Sequence, residues 1–145
     1  MPPDTGITAV AHAIQLAVAP VFLLSGVAGL LAVLTNRLAR VIDRSRALAA
    51  PIATYAPDTA AAQSERQTLA RRAKFISRAI ALCTISALLI CAVIATLFVG
   101  AFARFDASVP VALLFVAAMV ALFVGLLAFL REVFLATANL RSDPH

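Results

Sequence analysis

Charged residues are scarce in this chain. Asp, Glu, Lys and Arg make up 13% of its 145 residues, whereas hydrophobic residues make up 63%. The mean hydropathy is correspondingly high, at +1.00, and residues 13–34 and 79–103 carry no charged side chain at all. A water-soluble domain of this length could not enclose so much apolar sequence, so the composition excludes an ordinary soluble fold and indicates a membrane protein.

Cysteine is rare, and basic residues are missing from the beginning of the chain. Cys83 and Cys91 share one apolar run, and eight residues of helix separate them by about 12 Å, too far for a disulfide within that helix. We therefore expect both to be small core side chains. No Lys or Arg precedes the first apolar run, whereas a signal peptide begins with basic residues, so we expect that run to remain in the mature protein.

Patterns that carry catalysis or bind a metal are missing as well. The sequence contains no HExxH, GxSxG or P-loop pattern, and no Ser, Thr or Cys has an evident His partner. His12 and His145 lie near opposite ends of the chain, and two residues do not make a metal site. We therefore expect no enzyme, no cofactor and no metal centre.

The sequence does contain three apolar segments, at about residues 13–34, 79–103 and 110–130. Each has the roughly 20 residues that a helix needs to cross a bilayer. Between the first two, hydrophobic residues keep helical spacing on both sides of Pro51 and Pro57, which predicts a turn between two helices. We predict an all-α integral membrane protein with one membrane domain, residues 1–145. It has three transmembrane helices and a hairpin at residues 36–78 that extends helices one and two. Residues 1–11 are predicted to be a mobile tail that leads into the first helix, with Thr8 or Thr5 as its cap.

The basic residues that are present predict the topology. Nine of the 12 Lys and Arg lie between Arg37 and Arg78. A soluble nucleic-acid binder would spread such residues over a polar face, which this chain lacks, so we expect no nucleic-acid partner. Lys and Arg gather on the cytoplasmic side of membrane helices. The hairpin is therefore predicted to be cytoplasmic, with the N-terminus outside and the C-terminus cytoplasmic.

Small residues recur at four-residue intervals in all three apolar segments. Such stripes let a second helix approach closely. The positions are Ser25 and Gly29; Ala79, Cys83, Ala87, Cys91 and Ala95; and Ala117, Ala121 and Gly125. Three such faces exceed what one three-helix bundle needs, so we predict self-association or a membrane-protein partner.

Polar residues form a candidate site where the apolar segments end on the hairpin side. Glu132 is the only acid near the end of the third segment, and at least four bases from the other helix ends could reach it. Three interpretations stay open: a salt-bridge collar, a site for anionic lipid headgroups, or a ligand or ion site. The residues at the three helix ends are Asn36, Arg37 and Arg40; Lys74 and Arg78; and Arg131 and Glu132.

The chain also resembles a known family. The block TNRLARVIDRSR and the ending LREVFLA carry the resemblance, which covers about residues 14–140. The family comprises small bacterial inner-membrane proteins with three spans, known only as a domain of unknown function. The resemblance therefore implies a bacterial inner-membrane location and no activity. The family's polar residues correspond here to Asn36, Arg37, Arg40, Asp43, Arg44, Arg46, Arg78, Arg131 and Glu132.

Together these features predict an interaction or assembly protein without enzymatic activity, whose basic hairpin contacts lipid headgroups or a partner. The expected partners are anionic membrane lipids and a second copy or another membrane protein. The alternative is a component of an oligomeric channel or transporter, with polar faces of several copies lining a path.

Overall fold

Three long helices make up the described chain. In this computed structural model the structure describes residues 4–49, 60–103 and 106–140. The helices are α1 (Asp4–Ala49), α2 (Ala60–Ala103) and α3 (Ser108–Leu140), and no strand occurs in these ranges. They contain 46, 44 and 33 residues. At a rise of about 1.5 Å per residue, each helix is longer than the thickness of the hydrocarbon core of a bilayer, which is roughly 30 Å.

Each helix contains a candidate membrane span. The spans are Gly6–Ala47, Gln63–Ala103 and Ser108–Phe134, with mean hydropathies of 2.4, 2.7 and 2.9 in their most apolar windows. This confirms the predicted all-α fold with three transmembrane helices and indicates a multi-pass membrane protein. The extension of α1 and α2 beyond their apolar segments is also as predicted. The predicted turn at Pro51 and Pro57 lies outside the described residues.

The beginning of α1 differs from the prediction. A mobile tail was expected at residues 1–11, with the helix capped at Thr8 or Thr5, but α1 begins at Asp4, so the predicted beginning of the helix was wrong. No proline follows Pro3 until Pro20, and nothing stronger than Gly6 interrupts the helical pattern. At the other end of the chain, α3 continues without a break past the predicted end of its span.

The middle helix in the chain is also the middle helix in space. Both α1 and α3 pack against α2, whereas no Cα of α1 comes within 8 Å of a Cα of α3 in the described ranges. The contacts run antiparallel in both pairs, as in Arg44 with Glu65 and in Ser86 with Ala118. Any link between α1 and α3 must therefore be made by long side chains.

The buried residues of each helix alternate at intervals of three and four. This repeat of 3.5 residues is typical of helices that pack at a shallow left-handed angle. The most regular run, on α2, comprises Ile76, Ala79, Cys83, Ser86, Ile90 and Val93. Its counterparts in the main core cluster are Val27 and Leu34 from α1 and Ala118 and Leu122 from α3.

The small-residue stripe on α2 packs within the chain at one end only. Ala79 and Cys83 are fully buried, whereas Cys91 and Ala95 are exposed. Four residues advance a helix by about 400°, so a strict four-residue stripe drifts about 40° per step and leaves the interface after a few turns. The expectation that Cys91 is a core residue was therefore wrong.

Gly125 lies where α3 approaches α2 closely. A Cβ added there would lie 3.2 Å from Leu82 Cβ and 3.3 Å from Cys83 Sγ. Of the other small residues, Ala87 and Ala121 are half-buried, and Ser25, Gly29 and Ala117 are exposed. Contacts of these exposed positions with another chain stay a prediction.

Candidate functional site

Two arginines lie at one level on the hairpin side of the apolar segments of α1 and α2. Arg37 precedes Arg44 by as many residues as Arg72 follows Glu65, and Arg44 forms an ion pair with Glu65. Because the two helices are antiparallel, equal distances from this ion pair place Arg37 and Arg72 at the same height. At a rise of about 1.5 Å per residue, that height is about 10 Å from the ion pair.

The third helix adds an acid at this level. Ser86 Oγ donates a 2.8 Å hydrogen bond to the carbonyl of Ala118, which fixes the register of α3 on α2. Arg72 lies 14 residues before Ser86, and Glu132 lies 14 residues after Ala118. That stretch equals two heptads of the packing repeat, so Arg72 and Glu132 return to the same interface.

Glu132 is held between the two arginines. Arg37 Nη1 donates a hydrogen bond of 3.0 Å to Glu132 Oε2, and Arg72 Nε lies 3.7 Å from Glu132 Oε1. The exposed fractions of the side chains are 4% for Glu132, 25% for Arg72 and 42% for Arg37. We call these three residues the Glu132 cluster. In this cluster, two arginines of unequal exposure contact the buried carboxylate of Glu132.

The two cations bind Glu132 differently. The separation of 3.7 Å between Arg72 Nε and the carboxylate is too long for a hydrogen bond, and this Nε is buried without a hydrogen-bond partner in the described structure. Arg37 is better held, since its guanidinium carbon also lies 5.2 Å from the ring centroid of Phe129. This is within the range of a cation–π interaction. Arg37 is thus the principal partner of the carboxylate.

The arrangement of the cluster suits the fastening of a helix bundle. A buried carboxylate requires cationic or hydrogen-bonding partners, and here they come from both of the other helices. The described residues contain no group of three or more His, Cys, Asp or Glu side chains suited to a metal. Since α1 and α3 do not pack on each other, the pair of Arg37 and Glu132 joins the two outer helices.

A second ion pair lies further out along the hairpin. Arg44 contacts Glu65 Oε1 through Nη2 at 3.1 Å and through Nε at 3.3 Å. The exposed fractions of the two side chains are 62% and 44%, so the pair contributes at most about 1 kcal/mol. It shows that the extensions of α1 and α2 remain paired beyond the Glu132 cluster.

A family model for proteins of unknown function, DUF2721, matches residues 17–142. The match spans the Glu132 cluster, the hairpin and all but the first part of α1. This chain belongs to the DUF2721 family. The match confirms the resemblance found in the sequence. Searches of curated proteins and of solved structures find no match, so DUF2721 membership assigns no activity.

The remaining polar residues predicted for the site of this DUF2721 protein do not bind Glu132. Arg131, next to Glu132, instead places its guanidinium carbon 5.9 Å from the ring centroid of Phe75, and Arg44 pairs with Glu65. The structure therefore brings together one predicted cation and the predicted acid. The side chains of the other predicted residues are exposed, namely Asn36, Arg40, Asp43, Arg46, Lys74 and Arg78.

Arg72 is the member of the Glu132 cluster that the site prediction did not include. The hairpin-side cations of α2 were expected to be Lys74 and Arg78, which lie closer to the apolar segment. A signal was present, since Leu69, Arg72 and Ile76 follow the three-and-four spacing of the buried face. A cation in register with a buried face is a candidate partner for a buried acid.

The opposite end of this DUF2721 bundle has an open crevice of about 630 Å³. Its walls are mostly apolar, with His12, Asp106 and Ser108 among them. Asp106 Oδ1 accepts a 3.0 Å hydrogen bond from the Ser108 amide at the beginning of α3. Hydrogen bonds from the Ser108 side chain and amide lower the pKa of Asp106 below its ordinary value of 3.8. This acid therefore has a structural role at the start of the helix.

Proposed function

We propose that this DUF2721 protein is an assembly protein of the bacterial inner membrane, without enzymatic activity, whose basic hairpin binds anionic lipid headgroups. The proposal places residues 36–78 in the cytoplasm and the N-terminus outside. The concentration of nine of 12 basic residues between Arg37 and Arg78 supports this orientation.

The observation that carries the proposal is a row of three exposed cations on α2. Arg71, Lys74 and Arg78 are exposed, and at 100° per residue they lie within an arc of about 60°. None of the three forms a salt bridge with an acid in the described ranges. We call these residues the basic row. Unlike Arg37 and Arg44, they are not neutralised by a neighbouring helix.

The position of the basic row suits headgroups. Arg78 directly precedes the uncharged residues 79–103, and Arg71 lies about 10 Å further out at 1.5 Å per residue. The headgroup region on each side of a bilayer is about 5–8 Å thick, and the attraction of an anionic surface extends about 8 Å further at physiological salt, so all three cations lie within its range. Each cation near an anionic surface gains about 1 kcal/mol. The full row therefore contributes about 3 kcal/mol of preference for anionic over zwitterionic lipid, and this preference weakens with added salt.

The test is lipid retention by the purified full-length protein. It is reconstituted in nanodiscs that contain phosphatidylglycerol and phosphatidylcholine, and bound lipids are then identified by native mass spectrometry. Replacing Lys74→Gln together with Arg78→Gln should lower the preference for phosphatidylglycerol by about 2 kcal/mol, about 30-fold. Arg44→Gln with Arg46→Gln removes the same charge at exposed positions further from the apolar segment and serves as the matched control.

The proposal predicts a large effect for the first pair and a small effect for the control pair. Equal losses in the two double variants would show only a general charge effect and would reject a site at the basic row. Retention of a stoichiometric protein partner, with no preference among lipids, would also reject lipid binding.

A further inference from the structure

On one stretch of α1, every exposed residue is small. Between the exposed Phe22 and Val33, the exposed residues are all Ser, Gly or Ala, whereas the large side chains of this stretch are buried or half-buried against the core cluster. The exposed residues are Ser25, Gly26, Ala28, Gly29 and Ala32. The outer face of α3 has the opposite character over a similar length, with Val116, Val120, Phe123, Leu127 and Leu130 exposed.

The fold of the single chain does not explain these glycines. A Cβ added at Gly26 or Gly29 would meet nothing within 4 Å, whereas one at Gly125 would press against α2. A glycine inside a helix is less favourable than alanine by about 1 kcal/mol. Gly125 has a packing reason within the protomer, and Gly26 and Gly29 do not. In a membrane, small residues that the protomer does not need allow another helix to approach.

The face continues into polar residues beyond the apolar segment. Asn36 lies seven residues after Gly29, and Arg40 and Asp43 follow by four and three residues, so at 100° per residue all remain on the side of α1 away from α2. The side chains of Asn36, Arg40 and Asp43 are exposed and make no ion pair with another described residue. We call Ser25, Gly29, Asn36, Arg40 and Asp43 the α1 outer face.

This face is complementary to itself in one orientation. Copies inserted the same way have parallel α1 helices, and a two-fold axis along the membrane normal then places each residue opposite its own copy. Asn36 meets the second Asn36, a pairing that fixes register in parallel helices. Arg40 and Asp43 are about 4.5 Å apart along the axis, within reach of an arginine side chain, so two equivalent ion pairs form across the axis.

We propose that two copies of this chain associate in parallel through the α1 outer face, with Gly29 at the closest approach and Arg40 paired with Asp43 of the second copy. The inference deepens the proposed assembly function by assigning its partner, and it rests on the shared orientation of all copies. The basic rows of the two copies, on α2, then remain exposed to lipid.

Cysteine cross-linking in native membranes tests the geometry. In full-length protein carrying Cys91→Ala, which removes the exposed cysteine and leaves the buried Cys83, either Ser25→Cys or Gly29→Cys should form dimers on oxidation. Ala117→Cys, at an exposed small residue on α3, is the matched control and should remain monomeric. Cross-linking through Ala117→Cys instead, or equally at all three positions, would overturn the proposed face.

Two further sets of variants test steric fit and charge separately. Gly29→Leu should lower the dimer fraction in vesicles at least tenfold, whereas Ala117→Leu should leave the dimer fraction unchanged. The dimer fraction is measured by Förster resonance energy transfer between labelled copies. Arg40→Asp alone and Asp43→Arg alone should each weaken the dimer, and the two together should restore it. A failure of the double exchange to restore association would overturn the ion pair.

Subunit counting and lipid retention separate this inference from the proposed function. Single-molecule photobleaching should give two copies per particle, and a ring of three or more would overturn the two-fold arrangement and favour a channel. A monomer that keeps the lipid preference of the basic row would reject the dimer alone. A monomer without that preference would reject both proposals.

Discussion

Replacing Arg37 should destabilise the protein more than replacing Glu132, its partner. The two charged groups are 3.0 Å apart, and their gross attraction at an effective dielectric constant of about 20 is about 5 kcal/mol before desolvation. The net effect of a substitution depends on which group is left behind. Glu132 is 4% exposed, whereas Arg37 is 42% exposed. When Arg37 is replaced, Glu132 remains buried without its main partner. When Glu132 is replaced, Arg37 can turn toward water and headgroups.

These environments set the expected magnitudes. Breaking a buried pair by removing one partner costs about 3–5 kcal/mol. Arg37→Gln should fall at the lower end, about 3 kcal/mol, because Arg72 still lies 3.7 Å from the carboxylate. Glu132→Gln should cost about 1 kcal/mol, since the amide oxygen can still accept from Arg37 and no acid is left unpaired. The difference, about 2 kcal/mol, is about 30-fold in the unfolding equilibrium.

The assay is reversible unfolding in mixed micelles, followed by far-ultraviolet circular dichroism. The double variant Arg37→Gln with Glu132→Gln should be more stable than Arg37→Gln alone, because it no longer buries an unpaired acid. The corresponding coupling energy is about 2–3 kcal/mol. If Glu132→Gln destabilises as much as Arg37→Gln, or if the two losses simply add, the assignment of Arg37 as the principal partner of a buried acid is refuted.

Three further predictions concern packing, hydrogen bonding and pH. Gly125→Leu should lower the free energy of unfolding by about 1–3 kcal/mol, because the leucine side chain would force α3 away from α2. The exposed control Ala117→Leu should change the free energy of unfolding by less than about 0.5 kcal/mol. Thermal unfolding of both variants tests this, and equal stability of the two would contradict it. Ser86→Ala should lower the free energy of unfolding by about 0.5–1.5 kcal/mol, because it removes a buried hydrogen bond between helices. Thr84→Val should leave the free energy of unfolding nearly unchanged, because the Thr84 hydroxyl forms a hydrogen bond only within α2. Similar losses of stability in the two variants, in the same assay, would contradict this prediction. Hydrogen bonds at the start of α3 hold the pKa of Asp106 below 3.8, so its contribution to stability is present above that value and is lost as the pH falls through the lowered pKa. Melting temperatures should therefore fall less steeply below about pH 4 in Asp106→Asn than in the parent protein, and equal slopes in the two pH series would contradict the role of this acid.

The spans were predictable because the bilayer imposes a simple requirement. A chain that crosses it must satisfy its backbone hydrogen bonds internally, so long apolar runs such as residues 79–103 form helices. The same physics made the tail prediction fail. Composition suggested a polar lead-in, but helix formation depends on breakers, and none strong enough follows Pro3, so α1 begins at Asp4. The weak polarity of that stretch did not outweigh its uninterrupted backbone.

The small-residue stripes were only partly informative. A repeat of four residues identified Gly125 and Ala79, which lie at the contact of α3 with α2. It also included Cys91 and Ala95, which the turn of the helix carries away from that contact. Contacts between helices follow a repeat of 3.5 residues, so the relevant pattern alternates three and four. That pattern cannot be assigned to a particular neighbour from one sequence.

The candidate site shows the same division. Glu132 was identifiable from the sequence, because a single acid at the end of an apolar segment needs a cation, and Arg37 was among the possible partners. Choosing Arg37 over Arg40, and Arg72 over Lys74, required the register between helices. That register follows from side-chain packing at positions such as Ser86 and Gly125, and a rotation of one residue would turn Arg72 outward.

The three membrane-spanning helices could be predicted from the sequence alone, because apolar length and backbone hydrogen bonding are local properties. The positions where the cations gather could be predicted in the same way. The three-dimensional structure was needed to establish that α2 lies between α1 and α3, that Arg37 reaches Glu132 across it, and that the small face of α1 remains uncovered. Those features depend on which helix faces meet, and this is set by the packing of all three helices together.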